Sequence, residues 1–186
     1  MPGPLHRFFA EDHRRLDALL KCSVGEPGRV DPAPFEEFRA GILRHIGMEE
    51  KVLFVAARKA RGGEPLPIAA RLRVDHGAIA ALLVPTPTPA LVAEIVSVLS
   101  PHNRREEEPG GAYEECDSAL GTAAAEALVE ELRTFPEVPL KPYNDGPEVM
   151  KHIELTLEPA RRQWLEPPHP APDPPSNEGG ESDHEE

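Results

Sequence analysis

The sequence predicts an all-helical chain built around a four-helix bundle, and three observations carry that expectation. Ala and Leu are plentiful while aromatic residues make up only 5% of the chain. Apolar residues recur three and four apart rather than in alternation, which is the period of a helix and not of a strand. Gly- and Pro-rich stretches cut the chain into segments of helical length. At 186 residues, the usual scaling of core to surface suits one domain of roughly 100 to 150 residues with appended segments.

The first helix is expected over residues 5–21, where Phe9, Leu16 and Leu20 line one face and His13 shares it. CSVGEPGRVDPAP reads as a loop, and Pro34 suits the first turn of a second helix reaching residue 59. Its inner stripe is Phe38, Ile42, His45, Glu49 and Val52. RGGEPLP separates this from a third helix over 66–83, with Leu72, His76, Ile79 and Leu83 inward. After the stiff connector VPTPTP, Thr88 caps a fourth helix with Pro89 in its first turn. Leu91, Ile95, Val98, His102 and Glu106 follow the helical period there, and Pro101 is expected to kink or divide the helix beside His102. EPGG ends it.

A further helical stretch over 112–133, broken near Gly121, precedes the irregular FPEVPLKPYNDGP. A short helix over 148–164 then packs back on the bundle. Beyond residue 166 the chain is Pro-rich and acidic, a composition that cannot bury enough apolar surface to offset its ordering entropy, so disorder is expected. The organisation read from sequence is thus a bundle over 1–134, a partly helical extension over 135–166 and a disordered tail over 167–186.

The formal net charge is −13. Six acids and no Lys or Arg lie in the tail, leaving −7 on the rest. Such a body offers no electrostatic footprint for a nucleic-acid backbone and no basic face for an anionic membrane. No run approaches the roughly 18 apolar residues of a transmembrane span and no secretory signal opens the chain, so a cytoplasmic location is the expectation. The two cysteines, Cys22 and Cys116, are too few and too far apart for a disulfide framework or a cysteine-ligated zinc site, and read as free thiols.

The chemistry is carried by a motif that occurs twice: His45-Ile-Gly-Met-Glu49-Glu50 and His102-Asn-Arg-Arg-Glu106-Glu107. A spacing of four stacks His and Glu on one helical face. His13 and His76 add one imidazole from each remaining helix. Taken singly, a His on an apolar face is more often a hydrogen-bonded core residue than a ligand, and a His–Glu pair is often a surface pair, the reading given to Glu50, Glu107 and Glu108. One His on each of four inner stripes, with acids on two of them, is a different matter. Burying four imidazoles and two carboxylates without compensating charge costs at least several kcal/mol, so a metal site is expected, with His13, His45, Glu49, His76, His102 and Glu106 as ligands. The helices lack the Glu-x-x-His pairs of ferritin-type bundles and the His-Glu-x-x-His motif of zinc hydrolases. Zinc is content with four ligands, so six N and O donors suit two metals better.

EDHRRLD around His13, HIGMEE from His45, RVDHGAIAALL around His76 and HNRREEE from His102 together resemble the hemerythrin-like (HHE) cation-binding proteins. The resemblance covers about residues 5–117. It implies an up-down-up-down bundle enclosing a non-haem di-iron centre, with terminal histidines and with Glu49 and Glu106 bridging two iron ions. The pattern departs from that of oxygen-carrying hemerythrins: Ala80 stands where they have a second third-helix His, and Glu106 follows His102 by four residues where they have an Asp after five. It looks more like the bacterial proteins that repair iron centres after nitrosative stress, and like domains that sense iron or oxygen. The implied function is binding or sensing of dioxygen, nitric oxide or peroxide at an open metal position. The alternatives are a di-iron enzyme or iron donor, acting in iron-sulfur repair or in reduction of peroxide or nitric oxide, and a structural metal bundle. No residue is assigned a catalytic role. His6, seven residues before His13, is read as partly exposed, and His152, His169 and His184 as solvated.

Overall fold

The structure, a computed structural model, describes residues 1–25 and 28–165. The acidic tail expected over 167–186, with His169 and His184, lies outside the described residues. Helices account for nearly all regular structure, and among the described residues there is no strand. No described helix is long and apolar enough to cross a membrane.

Helix α1 spans Pro4–Ser23 and starts with proline in its first turn. Its free N–H groups are satisfied from a distance: the Asp117 carboxylate accepts from Leu5 and His6, both at 3.0 Å. Helix α2 covers Pro32–Met48 with Pro34 in its first turn, as expected, and the Asp31 carboxylate accepts from the Ala33 N–H at 3.1 Å and fixes the start.

The second predicted helix is not one regular helix. A π-helical turn, Glu49–Leu53, separates α2 from α3, Phe54–Ala60, and the Phe54 N–H bonds five residues back to the Glu49 carbonyl. One residue is thereby wound in beyond the regular count, which rotates everything after it. Val52, expected inward, is only half-buried, whereas Leu53 and Phe54 are buried.

Helix α4, Ala69–Leu82, and helix α5, Pro89–Glu107, follow, the latter capped by Thr88, whose hydroxyl accepts from the Leu91 N–H at 3.1 Å. Pro101 does not divide α5. The carbonyl that a proline there deprives of its donor belongs to Ser97, an exposed residue, so the loss falls on the solvent side of the helix rather than in the core. Helices α6, Ala112–Leu120, and α7, Thr122–Arg133, meet at Gly121, whose φ of 75° lies in the left-handed region favoured by glycine. Residues 135–146 are irregular, as expected, yet tied down. Arg39 donates to the carbonyls of Leu83 and Lys141, both at 2.8 Å, and Arg44 donates to those of Phe135 and Leu132 at 3.0 and 3.1 Å. Helix α8, Pro147–Leu165, then packs against α4 and α5.

The apolar interior has two parts. One joins Leu16, Leu20, Phe38, Ile42, Ile79 and Ile95 and is closed by Ile153 and Leu157 of α8. The other joins Leu5, Phe9, Leu53, Phe54, Leu72 and Tyr113, with residues of α7. Along α1 the second part comes first, then His13, then the first part; along α2 the order is reversed; along α4 it reverses again. The four histidines therefore lie at one level, sandwiched between two apolar layers.

Candidate metal centre

All six residues singled out in the sequence are brought together. His13, His45, Glu49, His76, His102 and Glu106 are buried, none more than 4% exposed. His13 comes from α1, His45 from α2, Glu49 from the first position of the π turn, His76 from α4, and His102 and Glu106 from α5. Within this set, Glu49, His76, His102 and Glu106 present donor atoms all within 4.8 Å of one another, and His13, His45 and Glu106 form a second such group. Glu106 is common to both. A buried group of His and Glu residues able to hold a metal ion is therefore present.

The four imidazoles are oriented alike. Each turns Nε2 toward a central carboxylate: His13 and His102 face Glu106 Oε2 at 3.5 and 3.2 Å, while His45 and His76 face Glu49 Oε1 and Oε2 at 3.5 and 3.1 Å. Each turns Nδ1 toward an outer carboxylate. The partners are Glu107 for His13 at 2.6 Å, Asp12 for His45 at 2.9 Å, Glu50 for His76 at 2.9 Å and Asp75 for His102 at 3.3 Å. A neutral ring bonded in this way keeps its proton on Nδ1 and aims the Nε2 lone pair inward, the arrangement that orients metal-ligating histidines.

Glu50 and Glu107 thus correct the sequence reading, which took them for solvated surface pairs. They are partly exposed, but each spends one oxygen on a buried imidazole of a neighbouring helix. Asp12 and Asp75 were missed altogether. Their only signal is the Asp-His dipeptide that occurs on both α1 and α4. Glu108 is exposed, as read.

The sequence reading also missed Tyr113, which is fully buried on α6. Its hydroxyl donates to Glu49 Oε1 at 2.6 Å and lies 3.2 Å from Glu106 Oε2, 3.3 Å from His13 Nε2 and 3.4 Å from His45 Nε2. Phe9 stacks on its ring with centroids 5.0 Å apart, and half-buried His6 meets it edge-on at 6.1 Å. Gly111 makes the delivery of Tyr113 possible: a Cβ there would lie 2.6 to 2.8 Å from the carbonyls of Arg105, Glu108 and Glu106. Nothing larger fits a turn this close to the end of α5.

The electrostatics follow from burial. Desolvation pushes the Glu49 carboxyl up, but the His45 and His76 imidazoles beside it prevail and hold it well below the usual carboxylate range. Burial and the adjacent Glu49 charge drive Glu106 well above it. His45 and His76 are pulled down by burial but raised further by their carboxylates, to about 9 each. Burial keeps His13 and His102 below their ordinary value. Tyr113 is pushed well up by burial and by both central carboxylates.

The residues fit a bound metal on two counts. Glu49 Oε2, His76 Nε2 and Glu106 Oε1 are buried without a hydrogen-bond partner, although the first two lie only 3.1 Å apart. Buried donor atoms this close that make no hydrogen bond to each other are both available to a cation. The separations between facing donors also match those of adjacent ligands on one cation, which at bond lengths near 2.1 Å sit about 3.0 to 3.4 Å apart.

Outside this cluster, the cysteines behave as expected: Cys22 is an exposed free thiol and Cys116 a buried one, whose pKa burial pushes far up. His152 is exposed. No family model, curated protein or solved structure matches the chain. The functional reading therefore rests on the site.

Proposed function

We propose that this cluster is a carboxylate-bridged di-iron centre of the hemerythrin type, set in an up-down-up-down bundle of α1, α2, α4 and α5, which binds or senses dioxygen, nitric oxide or peroxide. One observation carries the reading. Two donor groups meet at Glu106, one containing His76, His102 and Glu49, the other His13 and His45, so the donors divide into two neighbouring positions with a carboxylate in common. Glu49 spans the same two positions, one oxygen toward His76 and the other toward His45. Reversal of the two apolar layers from α1 to α2 to α4 supports the alternating topology. Imidazole and carboxylate together suit iron, and the bound irons would supply redox chemistry toward a small ligand.

The chain's own residues define what can reach that centre. A cavity of about 80 Å³ lies against His13, walled by Leu16, Leu20, Phe38, Leu99 and Asn103. Pockets that take organic substrates run to about 300–1,000 Å³, so this space suits a diatomic molecule or peroxide. A larger surface depression of about 560 Å³, lined by Phe8, Arg15, Arg44 and Arg133, touches the cluster's surroundings only at Asp12. The outer carboxylates hold the imidazole tautomers, and the two apolar layers exclude bulk water.

The test is metal analysis joined to visible spectroscopy. Ferrous loading in air should give about two irons per chain, as the divided donor set requires. The spectrum of reduced protein should change when dioxygen or nitric oxide is added. Glu49→Ala should lose most of the iron. A colourless protein that retains only zinc after iron loading would sink the reading, and so would unchanged iron content in Glu49→Ala.

A further inference from the structure

We propose that Tyr113 is a metal ligand, binding through its phenolate oxygen to the metal held by His13 and His45. The inference rests on the dinuclear reading above and adds a seventh protein ligand that neither of the repeated motifs contains.

The geometry points there in three ways. First, on the side of His13 and His45 only three residues, His13, His45 and Glu106, present donor atoms all within 4.8 Å of one another, against four on the other side, and the Glu49 oxygen turned toward His45 is the one that the Tyr113 hydroxyl meets at 2.6 Å. Tyr113 Oη sits in the poorer half, 3.3 and 3.4 Å from the two Nε2 atoms and 3.2 Å from Glu106 Oε2. Those separations fall within the range between atoms the cluster already presents as donors, from 3.1 Å for His76 and Glu49 to 3.5 Å for His13 and Glu106.

Second, hydrogen bonding alone does not account for the position. A phenol has one proton, and the short contact to Glu49 Oε1 at 2.6 Å takes it. Toward His13 the hydroxyl then has only lone pairs to offer. With its Nδ1 proton given to Glu107, a neutral His13 also presents a lone pair at Nε2. Two lone pairs facing each other at 3.3 Å repel in a low-dielectric interior unless a cation lies between them.

Third, the ring is fixed. It is fully buried, stacked on Phe9 and edge-on to His6, so Oη is held where it is. Phenylalanine would fill the same space without a polar atom to bury. On metal binding the O–H bond is exchanged for an O–metal bond and the proton leaves to solvent. No electron transfer is involved in that exchange.

The experiment uses the full chain loaded aerobically with ferrous iron, and reads iron content and the resonance Raman spectrum excited in the visible band. The chain has two tyrosines, Tyr113 and Tyr143. Ferric iron bound by phenolate gives a charge-transfer band whose excitation enhances tyrosine ring modes, and growth on ring-deuterated tyrosine shifts them. The expected result is that these modes are present in the wild type, kept in Tyr143→Phe and lost in Tyr113→Phe. Should Tyr113→Phe fail to fold, Tyr143→Phe still decides, because its only tyrosine is Tyr113. Two irons per chain without phenolate modes, or with modes that survive Tyr113→Phe, would overturn the ligand assignment and leave the di-iron reading standing. A wild type that takes up no iron overturns both.

Discussion

Each histidine of the cluster is held at both ends, and the outer end is where a single substitution tells most. The outer carboxylates form a closed relay: Asp12 of α1 holds His45 of α2, Glu50 of the π turn holds His76 of α4, Asp75 of α4 holds His102 of α5, and Glu107 of α5 returns to His13 of α1. Asp12→Asn keeps the shape but removes the charge that supports the Nδ1 proton of His45. Metal affinity should fall about 10- to 100-fold, as for other partners of ligating histidines, while the helical circular dichroism is unchanged. Competition against a coloured chelator measures it, and equal affinity would reduce Asp12 to the partner of Arg15, which it also contacts at 2.8 Å. Four of the six central residues were legible because spacing by four is a property of one helix, and His13 and His76 because each falls on the apolar stripe of its own helix. The outer four are sequence neighbours of those residues but serve histidines on other helices, so they become legible only once helix adjacency is known. Tyr113 gave no signal, because its contact with Glu49 spans 64 residues and no periodicity links α6 to α2.

At the scale of elements, the departure that matters is the π turn after Glu49. Sequence periodicity gave the helix and its inner stripe up to Glu49, then drifted by one place, because a residue wound in beyond the regular count changes no residue type. Of the two outcomes expected at Pro101, division of the helix does not occur, and the carbonyl that loses its donor belongs to Ser97 on the exposed face. The register shift is testable. Leu53 is 0% exposed and Val55 57% exposed. Leu53→Ala should cost about 2–5 kcal/mol in chemical denaturation, from lost burial and the cavity left behind. Val55→Ala should stay within about 0.5 kcal/mol. Comparable costs at the two sites would mean that Leu53 is not packed in the interior as the structure has it.

For the molecule as a whole, the cluster makes stability depend jointly on metal and pH. Without metal, the folded chain binds more protons than the unfolded one. His45 and His76, at about 9, hold theirs above the ordinary 6.5, and Glu106, raised by burial and by Glu49, holds one well above 4.5. Groups whose pKa is raised on folding stabilise the fold below their unfolded value, and that contribution is lost as the pH rises through the folded one. Metal-free protein should therefore lose stability from about pH 6.5 upward to about pH 9, as Glu49 and Glu106 are left facing each other with less neutralising charge. His13 and His102, lowered by burial, work the other way as the pH rises through the ordinary 6.5, so they blunt the loss at the lower end of that window. Bound metal replaces those protons, so the loaded protein should be nearly flat over the same range. At free metal about a thousandfold above its Kd, binding contributes about 4 kcal/mol, which for a chain of this size corresponds to a melting temperature higher by about 10 °C. Calorimetry of zinc-loaded and chelator-treated protein, with zinc as a redox-silent probe, should show that difference widening between about pH 6.5 and about pH 8.5. A difference that narrows over this range would mean that the protons on His45 and His76 are not the ones the metal displaces.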